Sequence, residues 1–261
     1  MSHHPLPIDL TLLDAVEALA GRAASLILQI YDSDFAVATK ADATPVTLAD
    51  QQAEALILAG LAAISPTLPV VAEEAVSSGG APAIDPAGRF WLVDPLDGTR
   101  EFIHRNGEFT VNIALIEAGE PRLGVVLAPA LGVGYAGLVA HGAWRTDRTG
   151  RRPIRCRRVP DEGLAVVASR SHGDEQALDA FLAGRKVASR VNAGSSLKLC
   201  LLAEGRADLY PRLGRTMEWD IAAGHAVLDA AGGRLHRLDD GRPLRYGKAG
   251  FANPHFVAQG L

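Results

Sequence analysis

Two aspartates three residues apart, Asp94 and Asp97, stand in the stretch WLVDPLDGTREF, where an apolar run gives way to a glycine and a threonine. Carboxylates held that close repel, and one takes up a proton unless a cation neutralises both. A divalent metal resolves the conflict, because hard cations such as Mg²⁺ take oxygen ligands, commonly a few carboxylates together with waters and substrate phosphate oxygens. Pro95 and Gly98 favour a tight turn after the strand, so that both carboxylates and the Leu96 carbonyl between them can face one point. Gly98 and Thr99 add backbone N–H groups and a hydroxyl, a combination that can cradle a phosphate. An Asp bonding its own turn is the simpler alternative for this stretch taken alone.

Other acids fall at comparable positions. Glu73 and Glu74 follow the apolar run PVVA, either as a solvated strand exit or as a ligand from a second strand. In EWDIAAGHAVLDAAGG, Asp220 opens a helix that Gly232 and Gly233 end, as an N-cap or as a further ligand. Asp50 stands three residues after Thr47, the spacing of a capping box. His104 and His225 have no companion ligands nearby in sequence and read as surface or core residues, and His3 and His4 read as part of the terminus.

Apolar periodicity predicts the elements that must position these residues. Residues 9–31 carry Leu12, Leu13, Val16, Leu19, Ala20, Ala23, Ile27 and Ile30 at helical spacing. DSDFAVATKADATP reads as a loop, and a second helix starts at Thr47 and ends before Pro66. PVVAEE and RFWLVD read as short strands stopping at acids, and 108–146 as an antiparallel meander of four runs. From about residue 158 the rhythm changes: LAVVAS, a helix at 174–182, KVASRVN, a helix at 195–204, ADLYP and a helix at 220–231 predict an α/β layer. The stretch 145–158, with seven arginines, marks the boundary between an N-terminal α+β unit (1–155) and a C-terminal α/β unit (156–261). It reads as a charged connector. A nucleic-acid patch is the remote alternative, since no aromatics interleave with the arginines.

Composition narrows the partners. A net charge of -4 over 261 residues gives no global reason to bind nucleic acid or an anionic membrane. Cys156 and Cys200 lie far apart without metal-ligand spacing, which suits a reducing compartment. The start MSHHPLPIDL lacks a signal-peptide pattern, and no run reaches about 18 uninterrupted apolar residues. These features predict a cytoplasmic, untethered protein; the sequence leaves open monomer or homodimer and peripheral association at the inner membrane.

DPLDGTREFI, with an upstream EE and a downstream WDIAAGHAVL, resembles the inositol monophosphatase superfamily of Mg²⁺-dependent, lithium-sensitive phosphatases. Three separated motifs in the right order carry the resemblance over nearly the whole chain. KADATPVTLAD, REFIHRNGEFTVNIAL and GSSLKLCLLAEGRADLYPR are most similar to its bisphosphate nucleotidase branch, which removes the 3′-phosphate of 3′-phosphoadenosine 5′-phosphate during sulfate assimilation. The resemblance implies a layered αβαβα sandwich that binds two or three Mg²⁺ ions. It assigns metal ligation to Glu73, Asp94, the Leu96 carbonyl, Asp97 and Asp220, with Asp94 shared between ions, and pairs Asp50 with Thr99 to activate water, in competition with the capping box. Gly98, Thr99 and Asp220, with Gly194, Ser195, Ser196 and Lys198 of NAGSSLK, would bind the substrate, a small nucleotide bisphosphate. Arg212 stands where inositol monophosphatases carry an acid, which favours a bisphosphate over the alternative substrate, an inositol or sugar monophosphate. Glu218, in GRTMEWD, departs from the pattern and would add negative charge near the site.

Overall fold

The computed structural model describes residues 6–33, 37–39, 45–169 and 175–261. His3, His4, Asp174 and the 40–44 part of the KADAT motif lie outside these residues. Along the chain come α1 (Leu10–Tyr31), β1 (Val37–Thr39), β2 (Pro45–Thr47), α2 (Leu48–Ile64), β3 (Val70–Ala72), α3 (Glu73–Ser77), β4 (Arg89–Asp97), α4 (Thr99–Ile103), β5 (Thr110–Glu117), β6 (Glu120–Ala128), β7 (Val133–Leu138), β8 (Gly142–Asp147) and β9 (Gly150–Ile154). They continue with β10 (Leu164–Ser169), α5 (Glu175–Leu182), β11 (Val187–Ala193), α6 (Leu197–Ala203), β12 (Leu209–Arg212), α7 (Glu218–Ala230), β13 (Arg234–Arg237) and β14 (Phe256–Gln259).

Five layers result. Asp9 caps α1 by accepting from Leu12 N, and the apolar stripe of α1 packs with α2 on one face of a seven-stranded sheet ordered β3 to β9. Only β3 and β4 pair in parallel there; the remainder is the expected meander. Successive side chains of β4 divide between the two cores, Trp91 and Val93 facing α1 and α2, Phe90 and Leu92 facing α6 and α7. Beyond α6 and α7 lies a five-stranded mixed sheet, β11-β10-β12-β14-β13, whose far face packs on α5. This is the expected layered sandwich.

Four local expectations need correction. The segment read as a loop before the second helix holds a paired β1–β2 ribbon. The meander runs on through β9, so most of the arginine stretch is strand rather than connector: a β-hairpin needs only the Asp147-to-Gly150 turn, whatever the charge of its strands. Strands β13 and β14, four residues each and too short to announce themselves, complete the second sheet. The last helix begins at Glu218, making Asp220 the third helical residue and not the N-cap. As for the arginines, Arg151 reaches Asp14 and Glu17 of α1, Arg145 reaches Asp147 and Glu204, Arg152 reaches Asp147, and Arg157 reaches Asp208. Four of the seven are thus spent on acids of the same chain, which works against a basic stripe for nucleic acid. Among the described residues no helix is long and apolar enough to cross a membrane.

One close approach fixes the helix that carries Asp220. Gly124 of β6 and Gly137 of β7 are cross-strand partners and form the floor under α7. A Cβ on Gly124 would lie 2.3 Å from the Ala223 carbonyl oxygen, and one on Gly137 would lie 2.6 Å from the Val227 Cα. Both obstacles are backbone, so the helix itself would have to move. Gly137→Ala is expected to cost about 1–3 kcal/mol as an overpacked core site, seen in thermal denaturation, and to lower turnover because α7 shifts. Gly21→Ala, in α1 with nothing within 4 Å of the new methyl, is expected to be neutral or stabilising.

Candidate active site

Strand β4 presents the two central acids through a bulge rather than through a turn beyond its end. Asp94 pairs with Asn112 and Asp97 with Thr110, so three steps on β4 oppose two on β5. Pro95 supplies the cause, since it has no N–H to give the ladder. Leu96 N donates to Asp94 Oδ1 at 3.0 Å, which bends the bulge back on its own carboxylate. Gly98 then takes φ +90°, a left-handed state open to glycine, and a Cβ there would fall 2.4 Å from Ser195 Oγ.

The strand-to-helix junction 72–73 brings Glu73 alongside. Glu54 of α2 accepts from Glu74 N at 2.8 Å and Ala75 N at 2.9 Å, capping α3 from outside and holding that junction against α2. Asp220 enters from the other side on the first turn of α7, its Oδ2 accepting from Met217 N at 2.8 Å. Glu73, Asp94, Leu96, Asp97, Thr99 and Asp220 line one open cleft, and Gly98, Gly194, Ser195, Ser196, Lys198 and Arg212 line the same cleft. Among the described residues no three acidic or imidazole side chains already close into an ion-sized cage.

Asp50 stands behind Thr99, outside the cleft lining. Its two oxygens resolve the competition between the two readings of this residue. Oδ2 accepts from Thr47 N at 2.7 Å and Thr47 Oγ1 at 2.6 Å, forming the capping box of α2, while Oδ1 accepts from Thr99 Oγ1 at 3.1 Å. Cap and hydroxyl contact coexist on one carboxylate.

The electrostatics follow from burial. Asp94 is 1% exposed, and burial, then the charges of Glu73, Asp97, Asp220 and Asp50, push its carboxyl well above the ordinary range. Burial raises Asp97 to about 6, with Lys198 pulling it back down and Glu73 and Glu101 pushing it up. Asp220 rises to about 8, through burial and then Asp97, against the stabilising Met217 N–H. Burial lowers the Lys198 ammonium to about 8 although Asp97 opposes the shift. Lys198 Nζ donates to Ser195 O at 2.6 Å and stands 5.6 Å from the Tyr210 ring centroid.

Some residues are not where charge alone suggests. Glu218 points away from the cleft: it is fully buried, accepts from Gly247 N and Lys248 N, and pairs with Lys248 Nζ at 2.6 Å. It adds no negative charge to the substrate side. His225 is a core residue, bonded through Nδ1 to Tyr246 at 2.8 Å and through Nε2 to Asp229 at 3.3 Å. Neither Glu74 nor His104 lines the cleft. Sequence reasoning missed Arg100, Glu101 and Arg215, which do. Arg100 and Glu101 were signalled only by their adjacency to Thr99, and Arg215 by its place three residues after Arg212.

The chain belongs to the inositol monophosphatase family, whose model matches residues 9–259. It is 47% identical to the 3′(2′),5′-bisphosphate nucleotidase CysQ of Escherichia coli strain K12, over 94% of this chain and 98% of that one. The CysQ of Buchnera aphidicola is 41% identical over 96% and 94%. Among solved structures, CysQ from Bacteroides thetaiotaomicron aligns with a TM-score of 0.81 at 35% identity, covering 96% of this chain and 97% of that one. An inositol monophosphatase from Anabaena aligns at 0.74 and 26% identity, covering 95% and 90%.

Carboxyl groups raised above their ordinary value of 3.8 make the folded, metal-free state most stable when they are protonated. That contribution is complete below the ordinary value and is lost as pH rises through about 6 and about 8. In chelator, the melting temperature is expected to fall across this window. Asp94→Asn, which keeps the Leu96 contact and cannot ionise, is expected to raise the metal-free melting temperature at pH 8 by about 2–4 °C per kcal/mol of relieved burial and repulsion cost.

Proposed function

We propose that this cleft hydrolyses the 3′-phosphate of 3′-phosphoadenosine 5′-phosphate to AMP and inorganic phosphate, with water as the nucleophile and Mg²⁺ as cofactor. The curated relatives, 41–47% identical over nearly the full chain, carry that activity class in their names. The observation that carries the mechanism is the convergence of four acids from three elements, α3, β4 and α7, beside a Thr99–Asp50 hydrogen bond.

The donor set fits a hard divalent cation. It is all oxygen, namely Glu73, Asp94, Asp97 and Asp220 with the Leu96 carbonyl, and its mutual repulsion is the penalty that a dication removes. These residues would hold two or three ions. When bound, Mg²⁺ lowers the pKa of water and neutralises phosphoryl oxygens. Thr99 Oγ1, whose own proton points to Asp50 Oδ1, offers its lone pairs to the water and passes the released proton toward Asp50. Thr47 holds the other oxygen of Asp50, which keeps that acceptor from swinging away.

Arg212 supports a substrate with a second phosphate. It is 9% exposed and lines the cleft, where its Nη2 donates to Arg215 O, and its buried Nε has no partner among the described residues. A guanidinium in that state calls for an anionic acceptor. Lys198, Arg100 and Arg215 add positive charge to the same cleft. The sulfated precursor 3′-phosphoadenylyl sulfate carries the same 3′-phosphate and would be a second substrate. A reducing, cytoplasmic setting suits the two buried free thiols, Cys156 and Cys200.

Asp50→Asn and Thr99→Ala are expected to lower kcat by about 10²–10⁴-fold, the range of general acid–base catalysis, with circular dichroism unchanged; wild-type rates would remove that residue from the chemistry. Arg212→Gln is expected to raise KM for the bisphosphate at least about tenfold, one lost charge-assisted bond, while sparing inositol 1-phosphate. Equal losses on both substrates, in a panel run with Mg²⁺ and with or without lithium, would sink the bisphosphate reading.

A further inference from the structure

The turn between β11 and α6 does something that its sequence conceals. Ser195 and Ser196 look like donors offered to a ligand, yet neither hydroxyl is spent on the cleft. Ser195 Oγ lies 2.8 Å from the Asp97 carbonyl oxygen and 2.8 Å from that of Glu108, sharing one proton between them. Ser196 Oγ donates to the Asp220 carbonyl oxygen at 2.5 Å. Adjacent hydroxyls thus grip the main chain of two acids, one from the bulged end of β4 and the other from the first turn of α7.

The surroundings are built for this grip. Ser195 takes φ +48°, an uncommon state for a serine, directly facing Gly98 at φ +90°. Both rare conformations serve one contact, because any side chain on residue 98 would strike Ser195 Oγ. Glu108 holds the turn from outside, its Oε2 accepting from Gly194 N at 2.8 Å, and a Cβ on Gly194 would lie 2.8 Å from the Glu108 carbonyl oxygen. Ser196 makes no side-chain cap bond to α6, although it occupies the cap position. Its hydroxyl is committed across the cleft instead.

We infer that Ser195 and Ser196 are a positioning pair that sets the separation of Asp97 and Asp220, and are not substrate ligands through their hydroxyls. The inference rests on the metal role proposed above for those two acids. It makes the metal centre depend on both sheets at once, since the turn follows a strand of the second sheet and grips a strand of the first.

The test uses the full chain with Mn²⁺ as a spectroscopic probe, titrated without substrate, alongside KM for 3′-phosphoadenosine 5′-phosphate at saturating Mg²⁺. Ser195→Gly removes the hydroxyl while relieving the positive φ, and Ser196→Ala removes only the oxygen; circular dichroism and thermal melting report that both are folded. Each is expected to weaken Mn²⁺ binding by about tenfold, as loss of an outer-shell partner does, and to leave KM at saturating Mg²⁺ within about twofold. Wild-type Mn²⁺ affinity in both variants, with or without a raised KM, overturns the inference and leaves the metal reading standing. If the unaltered protein binds no Mn²⁺, the metal reading falls and the inference falls with it.

Discussion

Four carboxylates face one cleft in which burial raises three of them above the ordinary range, and containing their repulsion is the task around which the surrounding structure is arranged. Repulsion of this kind would push separate surface segments apart. Here the acids are anchored locally: Asp94 accepts from the Leu96 N–H, Asp220 accepts from the Met217 N–H, the Asp97 carbonyl accepts from Ser195 Oγ, and the turn at Glu73 is held by the carboxylate of Glu54. The acids are thus carried by the first sheet, by the helix layer on its inner face and by a turn held against α2 on its outer face, so buried elements and not loops alone hold them together.

The helix layer explains why the two halves of the chain cannot be independent. A glycine floor on β6 and β7 lets the backbone of α7 sit on the first sheet, while the opposite side of that layer packs on the second. Asp220 is therefore delivered to the acids of β4 by a packing contact so close that a Cβ would not fit. Electrostatic function and core packing meet at the same residues.

Charge is distributed around the acids by kind. The arginines of 145–158 largely close ion pairs with α1, α6 and the second sheet, and Glu218 is neutralised by Lys248 on the far side of α7. The cleft itself keeps Arg212, Arg215, Arg100 and Lys198. An anionic substrate thus meets positive charge on one side and, once a dication is present, a neutralised acidic centre on the other.

What residue type and spacing determined is the chemistry: two acids beside a Pro-bearing strand end, a third at a helix start, the Thr47–Asp50 capping-box spacing, and the apolar periods of the helices and of the meander. These are local signals, and they were legible. Tertiary structure decided the rest, because the direction of a side chain is set by what fills the neighbouring space. Asp50 serves a cap and a hydroxyl because its two oxygens face different elements; the tandem serines turn to backbone carbonyls because Gly98 leaves them room. Glu218 and His225 face inward because partners from 246–248 lie there, and Glu54 caps a helix twenty residues away in sequence. No spacing along the chain encodes such contacts, since each depends on a partner brought close only when the layers pack.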